Sequence, residues 1–346
     1  MNGSTRVEPF EKEVYINLFG WYTGDMFPED KIRSEKLIKE LKSQNLFGKE
    51  FGIAVIDLNK KETEIFGCNL DHFMYPASVY KIFIGAEVLR QAELGNFSLD
   101  HKIEVVSLND VDKDSNVFPG DSRPLLSIGD SVTVETLLDL MLTRSDNSSS
   151  NILIDLVGRE SITKNIIHAY GWQGSEVTRK FLDRIKEAKP YRFSDVTLSC
   201  VRHVAEFFYL VEREKMVSAF VSKKMKDYMG RWNRGGRKGA FIPDYTKYYR
   251  KGGYLENNLY APFSGSYYKS GFALFTATRG IASLIKNIFT KGWAFIKWVN
   301  DAGVVCDSQS HYVLVIFTVN KQLGPYKKSS IQKIAKLVYD FMERED

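Results

Sequence analysis

Ser78 and Lys81 stand three positions apart in Tyr75-Pro76-Ala77-Ser78-Val79-Tyr80-Lys81. On a helical segment that spacing puts a hydroxyl and an amine on one face, one turn apart. A desolvated amine held this way can take the hydroxyl's proton and make the serine a nucleophile. The pattern alone is cheap, because S-x-x-K also begins at Ser161, Ser266, Ser283 and Ser330. Context selects the copy at Ser78. It opens an apolar helix read over 78–92, with Val79, Ile82, Phe83, Ala86 and Leu89 at helical spacing and Gly95 just past the end. A helix N-terminus offers N–H groups and a partial positive charge, so the Ser78 N–H is placed to meet an oxyanion. The apolar flanks would desolvate Lys81.

A second polar cluster follows 67 residues later, Ser145-Asp146-Asn147, in a break between two helical stretches. Ser145 can relay a proton, and Asn147 can hold a substrate amide with both ends of its carboxamide. Asp146 suits a brace for the loop. None of the other S-x-x-K copies precedes such a cluster in this order. A third element of the same chemistry would be a lysine and glycine on a strand, the lysine facing a substrate carboxylate and the glycine admitting substrate to the backbone. Two segments qualify: Lys251-Gly252-Gly253-Tyr254, and Lys269-Ser270-Gly271. The second keeps a hydroxyl and lies later. With either, an oxyanion would sit between the Ser78 N–H and that of Tyr254 or Phe272.

The elements that must carry these groups are readable in outline. Residues 30–43 pattern as a helix. Gly52–Leu58 and Glu62–Phe66 read as paired strands around the Asn59-Lys60-Lys61 turn. From about 100 to 210 the pattern is helical, with Thr133 as a cap. Tyr312–Val319 is a continuous apolar run, as expected of a strand covered on both faces. Ser330 starts a helix with Ile331, Ile334, Ala335, Val338 and Phe341 on one side. The fold class is therefore α+β: an antiparallel sheet built from both chain ends, flanked by helices, with an inserted all-helical domain. The expected division is an N-terminal segment 1–50, a sheet domain from 51–99 and 211–346, and a helical domain 100–210.

Of 346 residues, 44% are hydrophobic and 26% charged, which excludes disordered and fibrous classes. A net charge of +5 is too small to argue for nucleic acid. Three scattered cysteines exclude a disulfide framework, and the five histidines form no local zinc pattern, so no metal or cofactor is expected. There is no P-loop, no G-x-S-x-G and no H-E-x-x-H. The cluster Arg231, Arg234, Arg237 and Lys238 reads as a solvated loop. Residues 254–298 look like an insertion rich in Phe and Trp with interspersed Lys and Arg. It is read as a flap packed on the body, or as a surface for a membrane interface.

Taken together, Ser78, Lys81, Ser145, Asp146, Asn147 and a later K-x-G make residues 50–346 resemble the penicillin-recognising serine enzymes, the class A β-lactamase group above all. Asn151 matches a family asparagine that supports the site. The resemblance implies Ser78 as nucleophile, Lys81 as base, Ser145 as relay, and substrate contacts from Asn147, Lys251, Gly253 and Tyr254 (or Lys269, Ser270 and Gly271). It implies β-lactams or peptidoglycan-like peptides as substrates, and a periplasmic or extracellular location, although this chain shows no signal peptide. Two departures stand out. The family's deacylating glutamate follows an Asp-Arg pair; here Asp183-Arg184 is followed by Ile185 and Lys186, with Glu187, one residue late, as the candidate deacylation base. Gly252 also replaces the hydroxyl residue of the third motif. The expectation is a β-lactamase-like hydrolase slow to deacylate. The alternatives are a D,D-peptidase or penicillin-binding protein, or a catalytically silent binding protein on the same fold.

Overall fold

A computed structural model describes residues 27–47, 51–61, 63–109, 121, 123–182, 186–191, 197–231, 247–257, 296–306, 311–320 and 329–345 (the backbone alone for 247–257, 296–299, 319–320, 329–330, 332 and 345). The chain opens with helix α1 (Lys31–Ser43), started by Asp30, whose carboxylate accepts the Arg33 N–H. Strands β1 (Phe51–Asp57) and β2 (Ile65–Cys68) follow, then a 3-10 turn (Ala77–Tyr80) that runs into α2 (Lys81–Glu93). The helical block holds β3 (Lys102–Glu104), β4 (Ser131–Thr133), α3 (Val134–Asp139), α4 (Asn147–Val157) and α5 (Arg159–Ile162). After it come α6 (Val201–Glu212), α7 (Ala219–Arg231), β5 (Lys247–Asn257), β6 (Ile296–Cys306), β7 (His311–Asn320) and α8 (Ser329–Glu345).

The five long strands form one antiparallel sheet in the order β2-β1-β7-β6-β5. N-terminal β1 lies beside C-terminal β7, with Phe51 opposite Thr318 and Asp57 opposite Tyr312. Both faces are covered, as the apolar run in β7 requires. Ile53, Val55, Leu314 and Ile316 pack with Leu37 and Leu41 of α1 and Ile334 and Val338 of α8. Ala54, Ile56, Val313, Val315 and Phe317 point the other way, into a core shared with α2, α6 and α7.

The structure redraws several sequence expectations. The second strand runs over Ile65–Cys68, later than read, because Glu29 bridges Ile65 and the Ile65 N–H bonds to Pro28. The helical block also contains the small β3–β4 ladder, whose three-residue strands are too short to stand out as a pattern in the sequence. The insertion contracts from 254–298. Tyr254–Asn257 and Ile296–Trp298 pair with each other as the far ends of β5 and β6, which leaves 258–295 outside the described residues. Among the described residues no helix is long and apolar enough to cross a membrane.

Candidate active site

Ser78 lies within the 3-10 turn, not in the first turn of the α-helix that its spacing suggested. The reason is the backbone ahead of it: Ala77 has φ 47, a left-handed conformation that a non-glycine residue adopts at a cost, so the chain cannot enter the α-helix there. Ser78 is half-buried and reachable, whereas Lys81 is fully buried. Asn300 on β6 ties this turn to the sheet. Its amide nitrogen donates to the Tyr75 carbonyl at 3.0 Å, and its oxygen accepts the Thr318 N–H at 3.0 Å.

Helix α3 starts at Thr133, whose hydroxyl accepts the Thr136 N–H at 3.1 Å. It continues as a π-helical turn, Leu140–Arg144, that ends at Ser145. Ser145 itself is left-handed, with φ 64, and this turns its carbonyl and hydroxyl toward Lys81. Asp146 caps α4 by accepting the Ser149 N–H at 2.7 Å and pairs with Arg144 at 3.3 Å.

The two motifs meet on one ammonium. Lys81 Nζ donates to the Ser145 carbonyl at 2.6 Å and to Asn147 Oδ1 at 2.5 Å, and lies 3.3 Å from Ser145 Oγ. Asn147 Oδ1 is thus engaged by Lys81, where the residue type alone suggested a carboxamide with both ends available.

On its other side Lys81 meets an aromatic ring. Its Nζ is 4.3 Å from the centroid of Phe181. Phe181 stacks in turn on Tyr80, with centroids 5.5 Å apart and planes 7° from parallel. Burial pushes the Tyr80 phenol well above its ordinary value, so that ring stays neutral. Asn151 holds Phe181 by both backbone groups: its Oδ1 accepts the Phe181 N–H at 2.7 Å and its Nδ2 donates to the Phe181 carbonyl at 3.3 Å. Glu187 is buried beside this segment. One carboxylate oxygen pairs with Arg159 at 2.6 Å and the other accepts the Lys180 N–H at 3.1 Å. Arg159 lies flat on Tyr191, 3.8 Å from its centroid. Asp183, Arg184 and Ile185 fall outside the described residues.

For the third motif, the backbone of β5 runs beside the Ala77–Tyr80 turn, with Lys251 opposite Ala302 and Gly253 opposite Asn300. Lys269, Ser270, Gly271 and Phe272 lie outside the described residues. Arg231 of the basic cluster bonds Asp139 at 2.9 Å and also pairs with Asp227, in keeping with a solvated helix end. Among the described residues no group of three or more His, Cys, Asp or Glu could hold a metal.

Sequence reasoning passed over Phe181, Tyr80 and Asn300. Asn151, found four residues past Asn147, was the one pointer to Phe181, but its partner thirty residues on carries no motif of its own.

The model of the beta-lactamase enzyme family matches residues 33–342. The chain belongs to that family. It is 27% identical to Beta-lactamase VEB-1 of Pseudomonas aeruginosa over 137 residues (39% of this chain), and 26% identical to a beta-lactamase of Streptomyces albus G over 154 residues (43% of this chain). Those stretches cover 42% and 46% of the two relatives, so the chain spans less than half of either. The fold extends further. A class A beta-lactamase from Bacteroides cellulosilyticus superposes with a TM-score of 0.63 at 19% identity, over 91% of this chain and 99% of that one. A mutant of PBP-A, solved as its acyl-enzyme complex with penicillin G, superposes with a TM-score of 0.62 at 14% identity, over 92% and 99%. The class A β-lactamase-like family and the α+β fold expected from the motifs are thereby established.

Proposed function

We propose that this beta-lactamase family member is a serine acyl-enzyme former acting on β-lactams or on the peptidoglycan-like amides they resemble. The observation that carries the reading is the meeting of Ser145 and Asn147 on the buried Lys81 ammonium, three residues from a reachable serine. In this mechanism the Lys81 ammonium first gives up a proton to water, and Ser78 Oγ then attacks the amide carbonyl as its own proton passes to the neutral amine. As the C–N bond breaks, Ser145 Oγ hands its proton to the leaving nitrogen and regains one from Lys81 Nζ, 3.3 Å away. Asn147 Nδ2 binds the substrate amide. Lys251 supplies charge for a carboxylate, and the N–H groups of Ser78 and Tyr254 stabilise the oxyanion. Release of the acyl group is slow.

A fluorescent penicillin tests this directly. The protein should take one covalent label, mass spectrometry should place it on the peptide containing Ser78, and Ser78→Ala should take none. A label surviving in Ser78→Ala would remove the nucleophile assignment. No label on the native protein would favour the second reading, a silent binding protein on this scaffold. The ring of Phe181 over Lys81 and the missing hydroxyl at Gly252 argue for that second reading.

A further inference from the structure

We infer that Asn300 is a positioning residue for acylation: by holding the chain ahead of Ser78 against β6, it sets the Ser78 N–H at the spacing from β5 that an oxyanion requires. The inference rests on the acyl-enzyme reading above. When Ser78 Oγ bonds to the substrate carbonyl carbon, the carbonyl π pair moves onto its oxygen, and the Ser78 proton passes to the neutral Lys81 amine. The new negative charge must meet N–H donors that are already in place, at about 2.7–3.1 Å. The two donors assigned above, the N–H groups of Ser78 and Tyr254, belong to segments far apart in sequence, so the fold has to hold them at one spacing.

One buried side chain joins these segments. In the sheet Asn300 lies opposite Gly253 of β5, the residue before Tyr254, and opposite Phe317 of β7. Its Nδ2 donates to the Tyr75 carbonyl, three residues ahead of Ser78, at 3.0 Å, and its Oδ1 accepts the Thr318 N–H at 3.0 Å. The partners fix the carboxamide's orientation, because a carbonyl only accepts and an N–H only donates. Aspartate in its place would turn an oxygen toward the Tyr75 carbonyl, and leucine would leave both partners without this group. Thr318 is itself set in β7, the middle strand of the sheet, opposite Phe51 of β1 and Val299 of β6, so the anchor is firm. The held segment needs an anchor. Ala77, between Tyr75 and Ser78, is left-handed at φ 47, a conformation that lasts only where the surroundings impose it. Met74, on the far side of Tyr75, is tied separately, by two bonds to Ser199 at 2.9 and 3.0 Å. Between that bridge and Ser78, Asn300 grips the chain at the Tyr75 carbonyl. It thus acts through the backbone of Ser78 and has no substrate contact of its own to make.

The experiment separates binding from acylation on the full chain. Labelling by a fluorescent penicillin, followed in time over a range of concentrations, gives the first-encounter dissociation constant and the acylation rate constant for the native protein, Asn300→Asp and Asn300→Leu. The same proteins are titrated with a boronic acid. Its boron bonds to Ser78 Oγ, becomes tetrahedral and anionic as the serine proton passes to the Lys81 amine, and puts one of its oxygens where the oxyanion would lie. Both variants should acylate on the order of 10- to 100-fold more slowly, a part of the about 10²- to 10³-fold that a lost oxyanion donor costs. First-encounter binding should stay near native, and boronic acid affinity should fall by the same factor as the acylation rate. Val304→Ala, a buried truncation elsewhere on β6, controls for lost stability: it should lower the melting temperature and leave all three constants near native. Folded Asn300 variants that acylate at the native rate overturn the inference. So does a loss of first-encounter binding as large as the loss of rate, or a boronic acid affinity that stays native while acylation slows. If Asn300→Asp and Asn300→Leu do not fold, Asn300→Ser, too short to reach both partners, carries the same comparison. A native protein that takes no label sinks the acyl-enzyme reading and this inference with it, and that outcome is distinct from native acylation in the variants.

Discussion

On the Ser145–Asn147 side of Lys81, a carbonyl, a hydroxyl and a carboxamide face the ammonium. On the 178–191 side the same ammonium meets the ring of Phe181, and Glu187, a buried carboxylate of that segment, is turned into an ion pair with Arg159. The first wall is polar and the second aromatic, and they come from separate segments of the chain, so each can be altered without the other. The motifs that mark this family report only the first wall.

The sharpest way to break the contrast is to unseat the second wall. Glu187→Ala leaves the buried Arg159 guanidinium without that carboxylate and the Lys180 N–H without that acceptor. Removing one partner of a buried pair costs about 3–5 kcal/mol. Urea denaturation should show that loss. A loss below about 1 kcal/mol would mean the pair is not what holds the wall.

A smaller effect comes from the base of the same wall. His203 Nδ1 lies 2.8 Å from Ser175 Oγ, and the ring packs against Phe73 and Trp172. Burial lowers its pKa from 6.5 to about 4. Between those values the unfolded chain binds a proton that the native protein refuses. Stability from this group is therefore complete above about pH 6.5 and falls as pH drops toward 4. The full drop is on the order of 3 kcal/mol. Urea midpoints measured from pH 7 to 4 should follow that slope, and His203→Gln should flatten it. An identical slope in the variant would assign the loss to other groups.

The smallest expected effect sharpens the polar side. Lys251→Ala should slow acylation by roughly 10- to 100-fold, the worth of a charge-assisted hydrogen bond of about 1.5–3 kcal/mol. Lys269→Ala should change it far less. The reverse ranking would move the third motif to Lys269 and Ser270.

What could be read in advance follows the range of the interactions. The run Tyr312–Val319 announced a strand covered twice, and Ile331, Ile334 and Val338 announced the face α8 buries, because burial leaves a local period in the chain. Ser78, Lys81, Ser145 and Asn147 were legible because reactive side chains are few in kind and their order is informative. Phe181 was not. Its importance lies in the Asn151 carboxamide and the Lys81 ammonium, both distant in sequence, and a phenylalanine among core residues carries no chemical label. The 3-10 turn at Ser78 was hidden for a related reason: the left-handed backbone of Ala77 belongs to its surroundings and leaves no mark in its residue type.

The pairing of β1 with β7 bears on how this protein comes into being. Phe51 cannot meet Thr318 until β7 has been made, and contacts so distant in sequence form slowly because the intervening loop must close first. The stretch from α2 to α7 contains much of its own apolar core and can collapse while β6 and β7 are still being synthesised. The turn bearing Ser78 has no such independence, since Asn300 of β6 bonds the Tyr75 carbonyl ahead of it and is itself anchored on Thr318 of β7. The seat of Ser78 is therefore among the last features to set, and a chain truncated before β7 would hold every residue of the two leading motifs without this support for its turn.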